Sequence, residues 1–488
     1  MAKHFRNGAQ DLEYGKVTKE IIVELERITD KSRVWTTEEK LESCSRDETP
    51  TLKAEERYLP EAVIAPASAA EVSKILKLAN RYKIPVTPRG GGTGLSGGAL
   101  PLYGGIVISD ENLCRIIEID EENMAAVVEP GVITNDINVA AAERGLAYTG
   151  YPMSVMSCHI GGNIAENAGG GNAVKYGVTM RYVLGLEVVL PTGEILNLGG
   201  KLLKDVSGYS LKELFVGSEG TLGYVTKIIL RLQPIMRNHA TLLALFGDTK
   251  KAIEAVPKMM RSGGVIPSSI EYVDAYCYQK TCEYLHEELP MNGVEAVLIV
   301  EAEGCSQESV DADIENLGEA LRSGGASEVY VAETRSTRER IWAVRRSIDE
   351  ALRVTDPVQT DEDVCVPVSK IPDMERSLKE LEKKYAVRIA NFGHAGDGNL
   401  HPTILKPAEM ELDEWERTAK AVEWDMFCAA CDMGGVISGE HGIGYERRDF
   451  FTKLCHPENL ALMKKLKSAL DPNGIMNPGK IFNLDDGM

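Results

Sequence analysis

The chain is short of cysteine, of positive charge relative to negative, and of long apolar runs, and each shortage removes a class of protein. Ten cysteines in 488 residues are too sparse for a disulfide framework. The closest pair, Cys428 and Cys431, lies in Trp424-Asp-Met-Phe-Cys-Ala-Ala-Cys-Asp-Met433, a stretch of helical character, and is expected to pack on one helix face. No second CxxC follows to complete an iron–sulfur site, so electrons handled by this chain are expected to leave through another one. Lys and Arg number 54 against 74 Asp and Glu, a net charge of −20, which disfavours nucleic acid and anionic lipid as partners. No run approaches the ~18 apolar residues of a membrane helix, and Met1-Ala-Lys-His-Phe-Arg-Asn-Gly8 lacks the apolar centre of a signal peptide. A cytoplasmic protein is expected. At roughly 100–200 residues per domain the length accommodates two to four domains.

What the chain does have is glycine, 46 residues with many in three clusters. The clusters are Gly90–Gly98, Gly161–Gly171 and Gly217–Gly223, all in the first half. Around them the pattern is α/β. Ser68-Ala-Ala-Glu71 reads as a capping box opening a helix with Val72, Ile75, Leu76 and Ala79 on its apolar face. Short strands are expected at 84–87, 106–109, 116–119 and 125–129. After Gln233-Pro234 glycine thins. The order becomes strand (241–246), helix, strand (296–301), helix, strand (329–332), helix, the rhythm of an antiparallel sheet covered by helices on one face. The glycine-rich stretch from Gly434 onward is expected to return to the first domain.

Gly92-Thr-Gly-Leu-Ser-Gly97 is a literal GxGxxG after a strand, with Asp110 downstream. A Rossmann site requires that loop to open a helix. Gly98-Ala-Leu-Pro-Leu-Tyr-Gly-Gly105 follows instead, and Pro101 with the paired glycines makes that helix improbable. The loop remains suited to a backbone nest for a pyrophosphate, with Thr93 and Ser96 as hydroxyl donors; a tight connector is the structural alternative.

The ordered motifs Pro88-Arg-Gly-Gly-Gly-Thr-Gly-Leu-Ser-Gly-Gly98, Cys158-His-Ile-Gly-Gly-Asn-Ile-Ala-Glu-Asn-Ala-Gly-Gly170, Gly217-Ser-Glu-Gly-Thr-Leu-Gly223 and Asn477-Pro-Gly-Lys480 resemble the FAD-linked oxidases of the vanillyl-alcohol oxidase/p-cresol methylhydroxylase fold, and within them the D-lactate/glycolate dehydrogenase subunits. The resemblance implies an α+β fold: a two-subdomain FAD-binding domain (21–234) after an N-terminal extension (1–20), a ferredoxin-like substrate or cap domain (235–433), and a C-terminal segment (434–488) returning to the flavin. It implies that Pro88, Arg89, Gly90, Gly91, Gly92, Thr93, Gly94, Ser96 and Gly97 cradle the FAD pyrophosphate. Pro152, Ser157, Gly161, Gly162 and Asn163 would line the flavin, Gly217, Glu219, Gly220, Gly223 and Val225 would support the adenosine end, and Asn477 would reach the flavin from the C-terminus. The first loop carries no histidine, so FAD is implied to be non-covalent. His159 stands where threonine is expected.

His394-Ala-Gly-Asp-Gly-Asn-Leu-His401 lies between two strand-like runs. If Asp397-Gly398 forms a two-residue type I′ turn, His394 opposes His401 with Cβ atoms roughly 5 Å apart, near enough to share a metal ion; the alternative is a pair of ordinary hairpin histidines. In the extended Gly439-Glu-His-Gly442, Glu440 and His441 point to opposite faces, so Glu440 can join the two histidines in an open site for Zn, Mn or Fe while His441 faces the substrate. The resemblance implies a divalent metal at these positions. Arg345, in the apolar stripe of a helix expected over 337–353, requires an anion. That anion is either Asp349 one turn on or, as the resemblance implies, a substrate carboxylate. Acidic Thr360-Asp-Glu-Asp-Val364 disfavours a second substrate carboxylate.

The expected activity is flavin- and metal-dependent oxidation of a small D-2-hydroxy acid, with Arg345 on the carboxylate and His441 as base. Reoxidation is expected through an electron-transferring flavoprotein or an iron–sulfur subunit. Competing readings are a flavin transferase resembling the alkyl-dihydroxyacetone-phosphate synthases and a non-catalytic FAD-holding subunit.

Overall fold

The computed structural model describes residues 14–50, 57–262, 264–332 and 334–483. The expected N-terminal extension lies, through residue 13, outside the described residues. Ser68 caps the helix Ala69–Tyr82, its side chain accepting from the Glu71 N–H, and Lys83 ends it in the left-handed region at φ 53°. The buried face is Val72, Ile75, Leu76, Leu78 and Ala79, so the apolar spacing read from the sequence is the face that packs. It covers a four-stranded sheet ordered Val34–Trp35, Ala62–Ile64, Ile106–Ser109, Val86–Arg89, in which the last three strands run parallel. The first glycine cluster links the edge strand Val86–Arg89 to its neighbour. It runs as turns, with no helix after Gly97, so the Rossmann alternative is excluded by the backbone itself.

A second, five-stranded antiparallel sheet is ordered Ile116–Asp120, Ala125–Val128, Tyr224–Arg231, Val183–Val189, Ile195–Gly199. The helix Ile160–Glu166, which carries the second glycine cluster, shares its apolar core through Ile160 and Ile164.

The remaining sheet is antiparallel, with the path Glu328–Ala332, Asn238–Phe246, Ala296–Gly304, Ser269–Asp274, Arg388–His394, Asn399–Leu405, Gln359–Asp361, and Val364–Cys365 paired beside it. Helices on one face alone do not describe it. Leu242, Ala244 and Phe246 bury against the helices Thr249–Ser262 and Gln307–Ser323 on one side. Leu243 and Leu245 bury on the other, with Cys277, Tyr278, Ile341, Val344 and Ile348. The unbroken apolar run Leu242–Phe246 is the sequence form of a strand covered on both faces, because successive side chains alternate.

The C-terminal segment does return. Met476 bridges Val86 in parallel, Ile475 and Met476 complete the core of the first sheet, and the buried Lys480 donates to the Leu100 carbonyl.

Candidate active site

Four segments meet around an open cradle. Gly220 packs on Pro88, where a Cβ would lie 2.9 Å from the proline ring. On Gly91 a Cβ would lie 2.8 Å from the Ser157 carbonyl, and on Gly161 2.6 Å from Pro130, so both sites admit only glycine without displacing backbone or a rigid ring. On Gly94 and Gly162 it would meet nothing within 4 Å; these backbones face free space. Gly92 and Gly97 adopt φ +73° and +77°, conformations that side chains other than hydrogen disfavour. Three buried polar atoms here have no partner among the described residues: Arg89 Nη1, Ser96 Oγ and Glu166 Oε2. Unsatisfied buried polar atoms are costly, and the two donors among them, Arg89 Nη1 and Ser96 Oγ, suit a polar, anionic cofactor such as FAD. Thr93 lies in the same loop, Pro152 and the exposed Ser157 in the turns before Cys158.

The third cluster is tied to the C-terminal segment. Both Glu219 carboxylate oxygens accept backbone N–H groups, from Ile443 at 2.8 Å and Gly444 at 2.6 Å, and Asn477 Nδ2 donates to the Glu219 and Gly98 carbonyls. Glu219 therefore clamps the C-terminal segment through both carboxylate oxygens. Gly217 lies against Asn167, Gly223 faces Val188 and Phe215, and Val225 pairs with Val188. Asn163, buried, donates to Thr134.

The hairpin register differs from the expected one. His394 pairs with Asn399, and His401 with Phe392. The connection is the four-residue Ala395–Gly398, because only Gly398 has positive φ and a type I′ turn needs two such residues. His401 is thus a diagonal neighbour on the same face as His394, their rings 5.2 Å apart. His394 Nε2 and His401 Nε2 each lie 3.3 Å from Glu440 Oε1, and one ligand atom from each of the three residues falls within 4.8 Å of the others. The donor set, two imidazoles and a carboxylate, fits a divalent transition metal. Gly398 holds the loop in place: a Cβ there would sit 1.9 Å from the Val366 carbonyl. Gly398→Ala is expected to cost about 2–4 kcal/mol of stability, read as a lower urea midpoint; an unchanged midpoint would contradict this geometry.

The anion that Arg345 meets within the chain is Glu271, not Asp349. Arg345 Nε donates to Glu271 Oε2 at 2.7 Å, its guanidinium lies 5.0 Å over the Phe392 ring, and it is 4% exposed. Asp349 pairs with Arg353. The expected single helix is two, Arg335–Arg346 and Ile348–Thr355, parted at Ser347 with ψ 10°. Glu271 stands directly opposite His394 across the sheet, 2.8 Å from its Nδ1. Burial alone would raise the Glu271 pKa; His394 and Arg345 outweigh it and hold it at about 2. Glu271 fixes the ring so that Nε2 faces Glu440. Sequence reasoning missed it by missing the strand Ser269–Asp274; its signal was an acid flanked by Ile270 and Tyr272 in an otherwise apolar alternation.

Asp363 anchors the other half. Its Oδ2 accepts from Ser438 Oγ and from the N–H groups of Gly439, Glu440 and His441 at 2.7–3.0 Å, and its Oδ1 from Asn399. Asp363, His401 and His441 also cluster within metal-ligand reach, yet Oδ2 already has four donors, so this group reads as an anchor. The acidic run is consumed internally: Asp361 faces Arg353, and Glu362 pairs with Arg447. His441 stacks on His401 at 5.3 Å, and burial lowers its pKa against the pull of Asp363.

The cradle and the cluster adjoin. A Cβ on Gly169 would lie 3.2 Å from Glu440, and one on Gly171 2.8 Å from Glu271, so the end of the second glycine cluster abuts the carboxylates. A glycine-lined cradle on two sheets thus lies beside two buried histidines of a third sheet and the half-buried Glu440 of a neighbouring bend, an arrangement suited to an enzyme that uses a cofactor. The chain belongs to the FAD-linked oxidases: residues 235–481 match their C-terminal domain and residues 60–199 the FAD binding domain. It is 42% identical over 441 residues to the glycolate oxidase subunit GlcD of Bacillus subtilis (strain 168), covering 90% of this chain and 92% of that protein. It is 37% identical over 477 residues to the D-lactate dehydrogenase of Anaerostipes hadrus, covering 96% and 99%. The structure of p-cresol methylhydroxylase with substrate bound matches at TM-score 0.78 and 18% identity over 96% of this chain and 97% of that one, a likeness of fold alone. Among the described residues no helix is long and apolar enough to cross a membrane.

Proposed function

We propose that the protein oxidises a small D-2-hydroxy acid of the lactate or glycolate type to the 2-oxo acid. The observation that carries this reading is the convergence of His394, His401 and Glu440 beside Gly169 at the edge of the FAD cradle. The names of the relatives, glycolate oxidase subunit and D-lactate dehydrogenase, support it. When bound, FAD would supply the hydride acceptor, and His394, His401 and Glu440 would hold a divalent ion that would supply Lewis acidity.

The chain's own residues do the rest. Arg345 keeps its Nε on Glu271 and offers its remaining N–H groups to the substrate carboxylate. His441, with Nδ1 turned toward Asp363 at 3.9 Å, takes the 2-hydroxyl proton at Nε2; its lowered pKa keeps it unprotonated near neutral pH. The electrons leave to a separate protein, an electron-transferring flavoprotein or an iron–sulfur subunit, since every cysteine here is unpaired and no cysteine joins either metal-ligand group among the described residues.

Anaerobic mixing of the FAD-loaded protein with D-lactate, glycolate and D-glycerate is expected to bleach the flavin. An oxidised spectrum across a broad hydroxy-acid panel would sink the proposal. Arg345→Lys keeps a cation but not the fork, and is expected to raise KM for the acid about tenfold or more with metal retained. If KM is unmoved, Arg345 does not touch the substrate.

A further inference from the structure

His159 stands at the start of the second glycine cluster and against the first glycine loop, and its surroundings give it a role. The residue is half-buried, immediately before the helix Ile160–Glu166, and its side chain makes no capping bond. Nδ1 lies 2.8 Å from Oδ1 of Asp110, a carboxylate 3% exposed just past the strand Ile106–Ser109. The opposite edge of the ring lies along the first glycine loop: a Cβ on Gly91 would sit 3.4 Å from His159 Cδ2, and one on Gly90 3.5 Å from His159 Cβ. Cδ2 is bonded to Nε2, so the second ring nitrogen is on the loop side, and no protein acceptor engages it among the described residues.

We propose that His159 is a cationic ligand of the FAD diphosphate, held in place by Asp110 and donating from Nε2. The tautomer makes this a switch. Burial raises the Asp110 pKa against the hydrogen bond to His159; the ionised carboxylate requires a proton on Nδ1, so a neutral His159 carries its lone pair on Nε2 and turns an acceptor toward an anion, and only the imidazolium donates on both sides. The hydrogen bond to Asp110, working against burial, raises the His159 pKa above its ordinary value. The other charged or titratable groups around the pair are few. Arg89 in the loop donates Nη2 to the Ser43 carbonyl. Glu111 beside Asp110 is paired with Lys40 at 2.9 Å. The Tyr224 hydroxyl is buried, and burial with the Asp110 charge keeps it neutral.

The test is binding to apoprotein from about pH 6 to about pH 9, a window that brackets the ionisation of a histidine raised above ~6.5. FAD is followed by its fluorescence. ADP-ribose, whose diphosphate has no proton to lose in that range, and adenosine, which has no phosphate, are followed calorimetrically. For FAD and ADP-ribose the wild type is expected to lose up to about tenfold in affinity per pH unit above the His159 pKa of the free protein, while adenosine shows no such loss. His159→Gln and His159→Thr are expected to flatten the profile, and Asp110→Asn to move its midpoint to lower pH. The adenosine comparison needs no variant, so it stands even where a substitution disturbs folding. Equal pH dependence for adenosine and ADP-ribose, or a wild-type profile surviving in His159→Gln, would overturn the proposal.

Discussion

On the proposed reaction, replacing His394 by alanine is expected to abolish metal binding at the proposed site and lower turnover of the hydroxy acid by about a thousandfold, while FAD stays bound. The effect is large because this ring joins two carboxylates. Its Nδ1 lies 2.8 Å from Glu271 and its Nε2 3.3 Å from Glu440, and the residue is 2% exposed. Those contacts raise its pKa well above the usual value against burial, so the pocket is built around a group that is positive or metal-bound. Without the ring, Glu440 keeps only His401 as a neighbouring imidazole, and a two-ligand set does not hold a divalent ion tightly. A lost metal and a misplaced proton acceptor together account for about three orders of magnitude. Metal content by mass spectrometry, flavin content by absorbance and steady-state turnover test this on one preparation. Full metal occupancy with unchanged turnover would remove His394 from the reaction. Loss of flavin together with metal would mean that the cradle and the cluster do not act separately.

The placing of His394 and His401 on one face was legible in the sequence for a reason that survived a wrong detail. A two-residue turn at Asp397-Gly398 opposes His394 to His401; the real loop is four residues and opposes His394 to Asn399. The register error is two residues, and side chains in a strand repeat every two, so both histidines remained on one face. An odd error would have parted them. What set the loop was a tertiary neighbour, the Val366 carbonyl against Gly398, which no local pattern contains. The same limit applies to Arg345. Its buried place on a helix announced a need for an anion, but the partner, Glu271, is 74 residues away on a strand that the sequence did not single out. The glycine clusters were legible because each demands conformations or close approaches that a Cβ forbids. Glu219 was not, because its oxygens serve Ile443 and Gly444, more than 200 positions along.

Asp363→Ala is expected to be nearly as damaging as the loss of a ligand, although Asp363 need touch neither metal nor substrate. Its Oδ2 gathers the Gly439, Glu440 and His441 N–H groups and the Ser438 hydroxyl. Three consecutive amides aimed at one oxygen curl the backbone, which is therefore not the extended segment expected from the sequence; the curl presents Glu440 to His394 and His401 and stacks His441 on the same His401 ring. Burial raises the Asp363 pKa, but His441, His401 and Arg447 overcome it and keep the carboxylate ionised, so the anchor is a charge throughout the working range. Alanine leaves those donors buried without an acceptor at about 1–3 kcal/mol each, and the segment must rearrange to find water. Turnover is expected to fall about a hundredfold or more, with metal affinity down about 10–100-fold, the range seen when groups orienting metal ligands are removed. Asp363→Asn keeps one carbonyl oxygen for the amides but loses the charge, and is expected to fall between wild type and alanine on both measures. A full loss in the alanine variant with metal affinity unchanged would place Asp363 in direct contact with the substrate. Wild-type turnover and metal affinity in both variants would show that the segment Ser438–His441 is held by something other than this carboxylate.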